Sequence, residues 1–207
     1  MHIVGAHKGG AKLITRCCGR EHHSSGPEKG ANAVMMAGEF VSLLDSVWDE
    51  LRADADPRFD PPHSTIQATV IQGGTAVNII PDYCEIICDR RLVPGETSAQ
   101  ALAERDAALA GLPVEHDCQY LAPPLPPENS ATLHAWLQPA LAAQGIDPAA
   151  MGAPYATNAS HYAAAGAQVL VLGPGALAQA HTKDEWLDRR ELAKAVNVYG
   201  ALLRLPS

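Results

Sequence analysis

Residues 169 to 186, VLVLGPGALAQAHTKDEW, hold the spacing in this chain most suited to chemistry. Four apolar residues, Val169 to Leu172, run into a Gly173-Pro174-Gly175 turn, and His181 follows four residues ahead of Glu185. An apolar run closed by a glycine turn predicts a buried strand. A histidine delivered past the carboxyl end of a parallel strand stands where open α/β sheets hold their ligands. Gly173 and Gly175 let backbone approach such a ligand closely, or simply make the turn. Glu185 either orients His181 or caps the next segment. The rest of the chain does not offer the carboxylates that should complete a site around His181.

The elements that must position these residues follow from periodicity. AKLITRCCGR, residues 11–20, predicts a strand, and EHHSSGPEKG after it is a loop. Asn32 caps a helix in which Phe40, Leu43, Leu44, Val47 and Leu51 form one apolar face, ended by Pro57, Pro61 and Pro62. STIQATVIQGG and DYCEIICDRRL predict two strands joined around TAVNIIP; residues 97–110 predict a helix capped by Thr97 or Ser98; VEHDCQYL predicts a last strand. The order is β-α-β-β-α-β, the split βαβ sandwich of one sheet and two helices. Its edge strands suit pairing across a two-fold axis. APPLPPENS, residues 122–130, predicts a stiff extended linker and a domain boundary. Beyond it come a helix from about Ala131 to Gln144, the strand at Val169 and a final helix from Arg190 to Leu205. That is too little sheet to bury its own faces and edges, so this part reads as a piece of a larger α/β sheet, poorly folded alone.

Composition narrows the function. The chain has 207 residues, 47% of them hydrophobic, as expected of globular domains. A net charge of −8 argues against nucleic acid or an anionic membrane surface as partner. No apolar run reaches membrane-spanning length and the N-terminus has no secretory order. Five cysteines without C-x-x-C spacing fit reduced thiols and a cytoplasmic setting.

Four motifs, GREHHSSGPEKGANA, GGTAVNIIPDYCEIICDRR with VPGE, YATNASHYAAAG and VLGPGALAQAHTKDEW, occur in one order from about Lys8 to Leu205. Together they resemble the di-zinc amidohydrolase and metallopeptidase family of acetylornithine deacetylase, succinyl-diaminopimelate desuccinylase and glutamate carboxypeptidase, with DRRLVPGE and GPG-x5-H-x3-E pointing to the acetylornithine deacetylase type. The resemblance implies an α/β catalytic domain interrupted by a dimerisation domain, here residues 8–120, with 121–207 as the C-terminal portion of the catalytic domain. It implies a homodimer, an N-acyl amino acid as substrate, and two zinc ions per site, with cobalt or manganese able to share the ligands. His181 is the implied metal ligand; alone it does not hold zinc tightly, since catalytic zinc takes about three protein ligands. The family's other ligands precede the dimerisation domain, so this chain is a truncated product, or its missing half comes from another chain or was lost.

The resemblance also implies roles. His23, or its neighbour His22, crosses the dimer interface and donates to the oxyanion, a contribution on the order of 3 kcal/mol. Asn78 meets the substrate's carboxylate or acyl group; otherwise it forms the turn before a strand. Arg90 meets the substrate carboxylate, with Arg91, of opposite strand parity, facing away; otherwise Arg90 makes a salt bridge. Thr157 and Asn158 occupy a polar loop near the metals where many relatives carry Asp or Glu. Two readings follow: a metal-dependent amide hydrolase, or a non-catalytic dimerisation module that has lost the chemistry.

Overall fold

A computed structural model describes residues 1–204 apart from 54, 110, 112 and 181. Its strands are β1 (His2–His7), β2 (Gly9–Cys18), β3 (His22–His23), β4 (Thr65–Gly73), β5 (Ile79–Ile80), β6 (Tyr83–Leu92), β7 (Val114–Ala122), β8 (Ala150–Ala153) and β9 (Val171–Gly173). Its α-helices are α1 (Ala33–Leu51), α2 (Ser98–Ala108), α3 (Ala131–Ala142), α4 (Ala159–Ala164) and α5 (Arg189–Leu202).

The first unit is an antiparallel sheet of order β4-β6-β2-β7. Alternation decides its faces. Leu13 and Cys17 on β2 stand opposite Cys88 and Cys84 on β6, and with Ile86 they bury against Ala33, Ala37 and Phe40 of α1. Asn32 caps α1 by accepting from the amides of Val34 and Met35. Thr97 and Gln100 form a reciprocal capping box on α2. The mixed order of strands and helices is as expected from the sequence. A two-residue ladder, β3 with β5, was not expected; it ties His22 to Ile80 and His23 to Ile79.

The second unit is a sheet of order β8-β1-β9 under α3 and α5, with a core of Ile3, Leu137, Leu141, Ile146 and Val198. It corrects three expectations. The strand at Val169 begins at Val171 and runs antiparallel to β1, not parallel. Two further strands join it: β8, parallel to β1, and β1 itself, whose residues 3–7 are buried on both faces and so lack any alternating pattern. The segment 122–130 is no free linker. Ala122 ends β7, Leu125 exchanges backbone hydrogen bonds with His7 (3.1 and 2.9 Å), and Pro127–Ser130 is a 3-10 turn leading into α3. The chain thus leaves the second unit after His7, builds the first, and returns at Leu125.

Candidate functional site

At the tip of the first unit, the β3–β5 ladder brings His23 beside Asn78, and the Ser24 amide donates to the Asn78 carbonyl at 2.9 Å. The amide of Ser25 donates to His23 Nδ1 at 3.2 Å, and Ser25 Oγ lies 2.7 Å from the same nitrogen. An amide can only donate, so Nδ1 of the neutral ring is the acceptor and Nε2 carries the proton. His23 therefore presents an N–H to solvent beside Asn78. His22 is turned otherwise: its Nδ1 lies 3.1 Å from the His23 carbonyl, and its ring packs beside Gly26.

The two arginines exchange places relative to the expectation. Ala11 pairs with Arg90, on the face that α1 and α2 cover. Arg90 is 1% exposed, bonded to Glu96 and, at 3.2 Å, to Glu104, and donates to the Arg91 carbonyl at 3.0 Å. Burial raises the Glu96 pKa against the opposing pull of Ser64 and Arg90. Arg90 thus lies in the core of the first unit, lining a small pocket between the sheet and its helices with Leu13, Phe40, Ala101 and Glu104. Arg91, paired with Gly10, lies on the other face. The side-chain space that Gly10 leaves empty is walled by Arg91 Nη1, the Tyr120 ring and Ala156. Arg91 therefore reaches the seam between the two units, with Nε on Asp89 at 2.7 Å.

That seam holds a buried polar network. His7 Nδ1 lies 2.8 Å from the Lys8 carbonyl, so it bears the proton and donates. Nε2 then accepts from Thr157 Oγ1 at 3.0 Å, and Thr157 in turn accepts from the Ala159 amide at 3.1 Å. Desolvation lowers the His7 pKa, in keeping with a neutral ring. Lys8 points to the first unit: Nζ donates to the carbonyls of Pro61 and His63, both at 2.7 Å, and lies 5.9 Å from the Phe59 ring centre. Desolvation lowers its pKa as well. Two adjacent side chains clasp one loop in each unit. Their only sequence signal is a His-Lys pair in an otherwise apolar stretch.

Gly173 and Gly175 lie elsewhere again. Gly173 pairs with His2, at the end of β1 opposite His7. Gly175 has φ +92° and packs close to Leu187, so it serves a real left-handed turn. His181 lies outside the described residues. Among the described residues, no three His, Cys, Asp or Glu side chains gather to hold a metal ion. The described residues alone do not assemble the ligands of a metal centre. The buried thiols are inert by the same physics: desolvation pushes Cys17 and Cys88 up to about 11.

Residues 5–117 match the peptidase dimerisation domain, M20 type, and the chain belongs to that family. It is 32% identical over 205 residues to acetylornithine deacetylase of Proteus mirabilis, covering 97% of this chain and 52% of the relative. It is 31% identical to acetylornithine deacetylase of Myxococcus xanthus, covering 92% and 51%. The chain spans about half the length of the curated relatives it matches. An aminopeptidase, PepT, from Bacillus cereus shares the fold with a TM-score of 0.74 at 21% identity, covering 97% of this chain and 52% of that one. A Staphylococcus aureus tripeptidase does so with a TM-score of 0.73 at 17% identity, covering 99% and 54%.

Proposed function

We propose that this chain is the dimerisation unit and C-terminal catalytic portion of a metal-dependent amide hydrolase of the acetylornithine deacetylase type, acting on an N-acyl amino acid in the cytoplasm. The observation that carries the reading is the tip, where a histidine with its proton fixed on the outward nitrogen stands beside an asparagine.

In this reading, His23 Nε2–H donates to the oxyanion as the carbonyl becomes tetrahedral, and Asn78 orients the acyl or carboxylate end. Arg91, rather than Arg90, receives the substrate carboxylate, because it alone of the two reaches the seam. Zinc is the expected metal, and its site requires ligands beyond those described here.

Geometry favours action across a two-fold axis. β2 rises about 3.4 Å per residue, so its Cys18 end, where the tip begins, is about 27 Å from Gly10 and Arg91. One chain's tip therefore does not reach its own seam. A homodimer partner carries its tip there instead. The free edge of β4 suits such pairing: Val70 and Ile71 are exposed on it, and Val34, Met35 and Val41 are exposed on the neighbouring α1.

The test supplies, in trans with zinc, the portion of the Proteus mirabilis enzyme that this chain does not match, and measures hydrolysis of N-acetylornithine. Turnover is expected, with kcat falling about 100- to 1,000-fold for His23→Ala and far less for His22→Ala. Association without any turnover favours the alternative, a dimerisation module without chemistry.

A further inference from the structure

His7 and Ala153 are paired at the carboxyl ends of β1 and β8, which run parallel. The loops that leave such adjacent ends are where α/β sheets hold ligands. The chain leaves β8 through Pro154, Tyr155 and Ala156 and comes back to β1 at Thr157, whose Oγ1 meets His7 Nε2 at 3.0 Å. The His7 ring is wholly buried, so this bond is not exchanged for one to water.

One residue earlier, the same loop touches the first unit. The Ala156 methyl lies 3.8 Å from where a Cβ on Gly10 would stand, and Arg91 Nη1 and the Tyr120 ring each lie 3.6 Å from that point. These are ordinary van der Waals distances, so the surroundings do not demand glycine at position 10. Its neighbour Gly9 differs: a Cβ there would come within 2.6 Å of the Ala122 carbonyl oxygen. Glycine inside a strand without such a clash marks a place where a ligand or another group approaches closely. At Gly10 a guanidinium, a phenol ring and a methyl group converge on one small gap. Of these three, Ala156 alone comes from the second unit, and its place is set by its neighbour Thr157.

We propose that His7 is a positioning residue: by accepting from Thr157 it holds Ala156 against Gly10, and so shapes the gap in which Arg91 takes the substrate carboxylate. The ring's own bonds support this assignment. Nδ1 spends its proton on the Lys8 carbonyl at 2.8 Å, which leaves Nε2 an acceptor of fixed direction. Thr157 gives its proton to Nε2 and accepts from the Ala159 amide at 3.1 Å, so both roles of its hydroxyl are used within the fold. The hydroxyl is a strut, not a ligand for substrate. A displacement of about 1 Å in a group that orients substrate costs on the order of 100-fold, so a strut of this kind has a measurable effect. The proposal rests on the hydrolase reading only for the role of Arg91.

The experiment uses the full chain with N-acetylglycine, a small N-acyl amino acid, as probe. Binding is read from the Arg91 Nε–H resonance, identified by its loss in Arg91→Lys, and hydrogen exchange is followed at residues 156–162. Glutamine puts an acceptor near the Nε2 position, whereas asparagine reaches only the Nδ1 position. Expected are binding by the natural sequence, and binding at least about tenfold weaker with faster exchange in His7→Asn and Thr157→Val. His7→Gln and Thr157→Ser should restore it to within about threefold. Gly10→Ala, which fills the gap without a clash, should weaken binding as much while leaving exchange unchanged. Where His7→Asn fails to fold, Thr157→Val, at a half-buried loop position, and Gly10→Ala decide. Natural affinity in Thr157→Val or Gly10→Ala, equal losses in His7→Gln and His7→Asn, or no binding by the natural sequence would overturn the proposal. Turnover of N-acetylornithine after reconstitution with the Proteus mirabilis portion, with KM unchanged in Thr157→Val, would overturn it and keep the hydrolase reading. Binding that depends on His7, without any turnover, would do the reverse.

Discussion

Arg90 and Arg91 are neighbours in sequence and opposites in environment, and substitution should separate them. Arg90 is enclosed with Glu96 and Glu104 at hand, so Arg90→Met strands a buried carboxylate and should cost about 3–5 kcal/mol in urea unfolding. Arg91→Met removes a half-exposed ion pair with Asp89 and should change stability by no more than about 1 kcal/mol. His7 should leave a mark on pH dependence. Its pKa in the fold is below 6.5, so below that pH the unfolded chain takes up a proton that the native ring refuses. Stability from this residue is therefore complete above about pH 6.5 and is lost as pH falls toward the depressed value, by at most about 1.4 kcal/mol per pH unit. His116, also lowered by burial and by Arg105, adds to the same slope. Unfolding midpoints between about pH 5 and 7.5 should show a shallower dependence in His7→Gln, with the remainder due to His116 and others.

The elements are held to one another by close backbone approach at a few glycines. At Gly19, just past β2, a Cβ would lie 2.1 Å from the Ala31 carbonyl oxygen. Backbone cannot swing aside as a side chain can, so Gly19→Ala should destabilise by about 1–3 kcal/mol and loosen the ladder that sets His23 beside Asn78. Gly38, within α1, has nothing within 4 Å of the same position. Gly38→Ala should instead stabilise by about 0.5–1 kcal/mol, since alanine loses less backbone freedom in a helix. Thermal melts of the pair, with proton chemical shifts of the His23 ring, check both. Capping was readable in advance: Asn32 and Thr97 stand immediately before apolar or helix-favouring runs, and both serve as caps. The short ladder of β3 and β5 was not readable, because two residues of strand carry no period.

For the whole molecule, the proposed self-association takes the β4 edge and α1 as its face. Val70→Lys with Ile71→Lys places two charges on that edge, whose side chains are already exposed. Sedimentation at tens of micromolar should show a dimer for the natural sequence and a monomer with unchanged circular dichroism for the double variant. A monomeric natural sequence would remove the two-fold argument for His23. Between the two units, His7 and Lys8 make the join a specific one: each side chain bonds a loop of a different unit, and the chain crosses the seam again at Leu125. No helix among the described residues is long and apolar enough to cross a membrane.

The sequence by itself determined the antiparallel first unit, because alternating apolar residues and helix caps are local signals that each chain segment carries alone. His23 and Asn78 were singled out only through the resemblance of GREHHSSGPEKGANA and VNIIP to family motifs. Only the tertiary structure decided which arginine faces the seam, because parity along β6 is fixed by the register with β2 and not by the segment itself. It alone revealed β1 as the centre of the second sheet, since a strand buried on both faces has no polar side to announce it. The same cause hid the His7–Thr157 bond: it joins residues 150 positions apart, and no local pattern spans that distance.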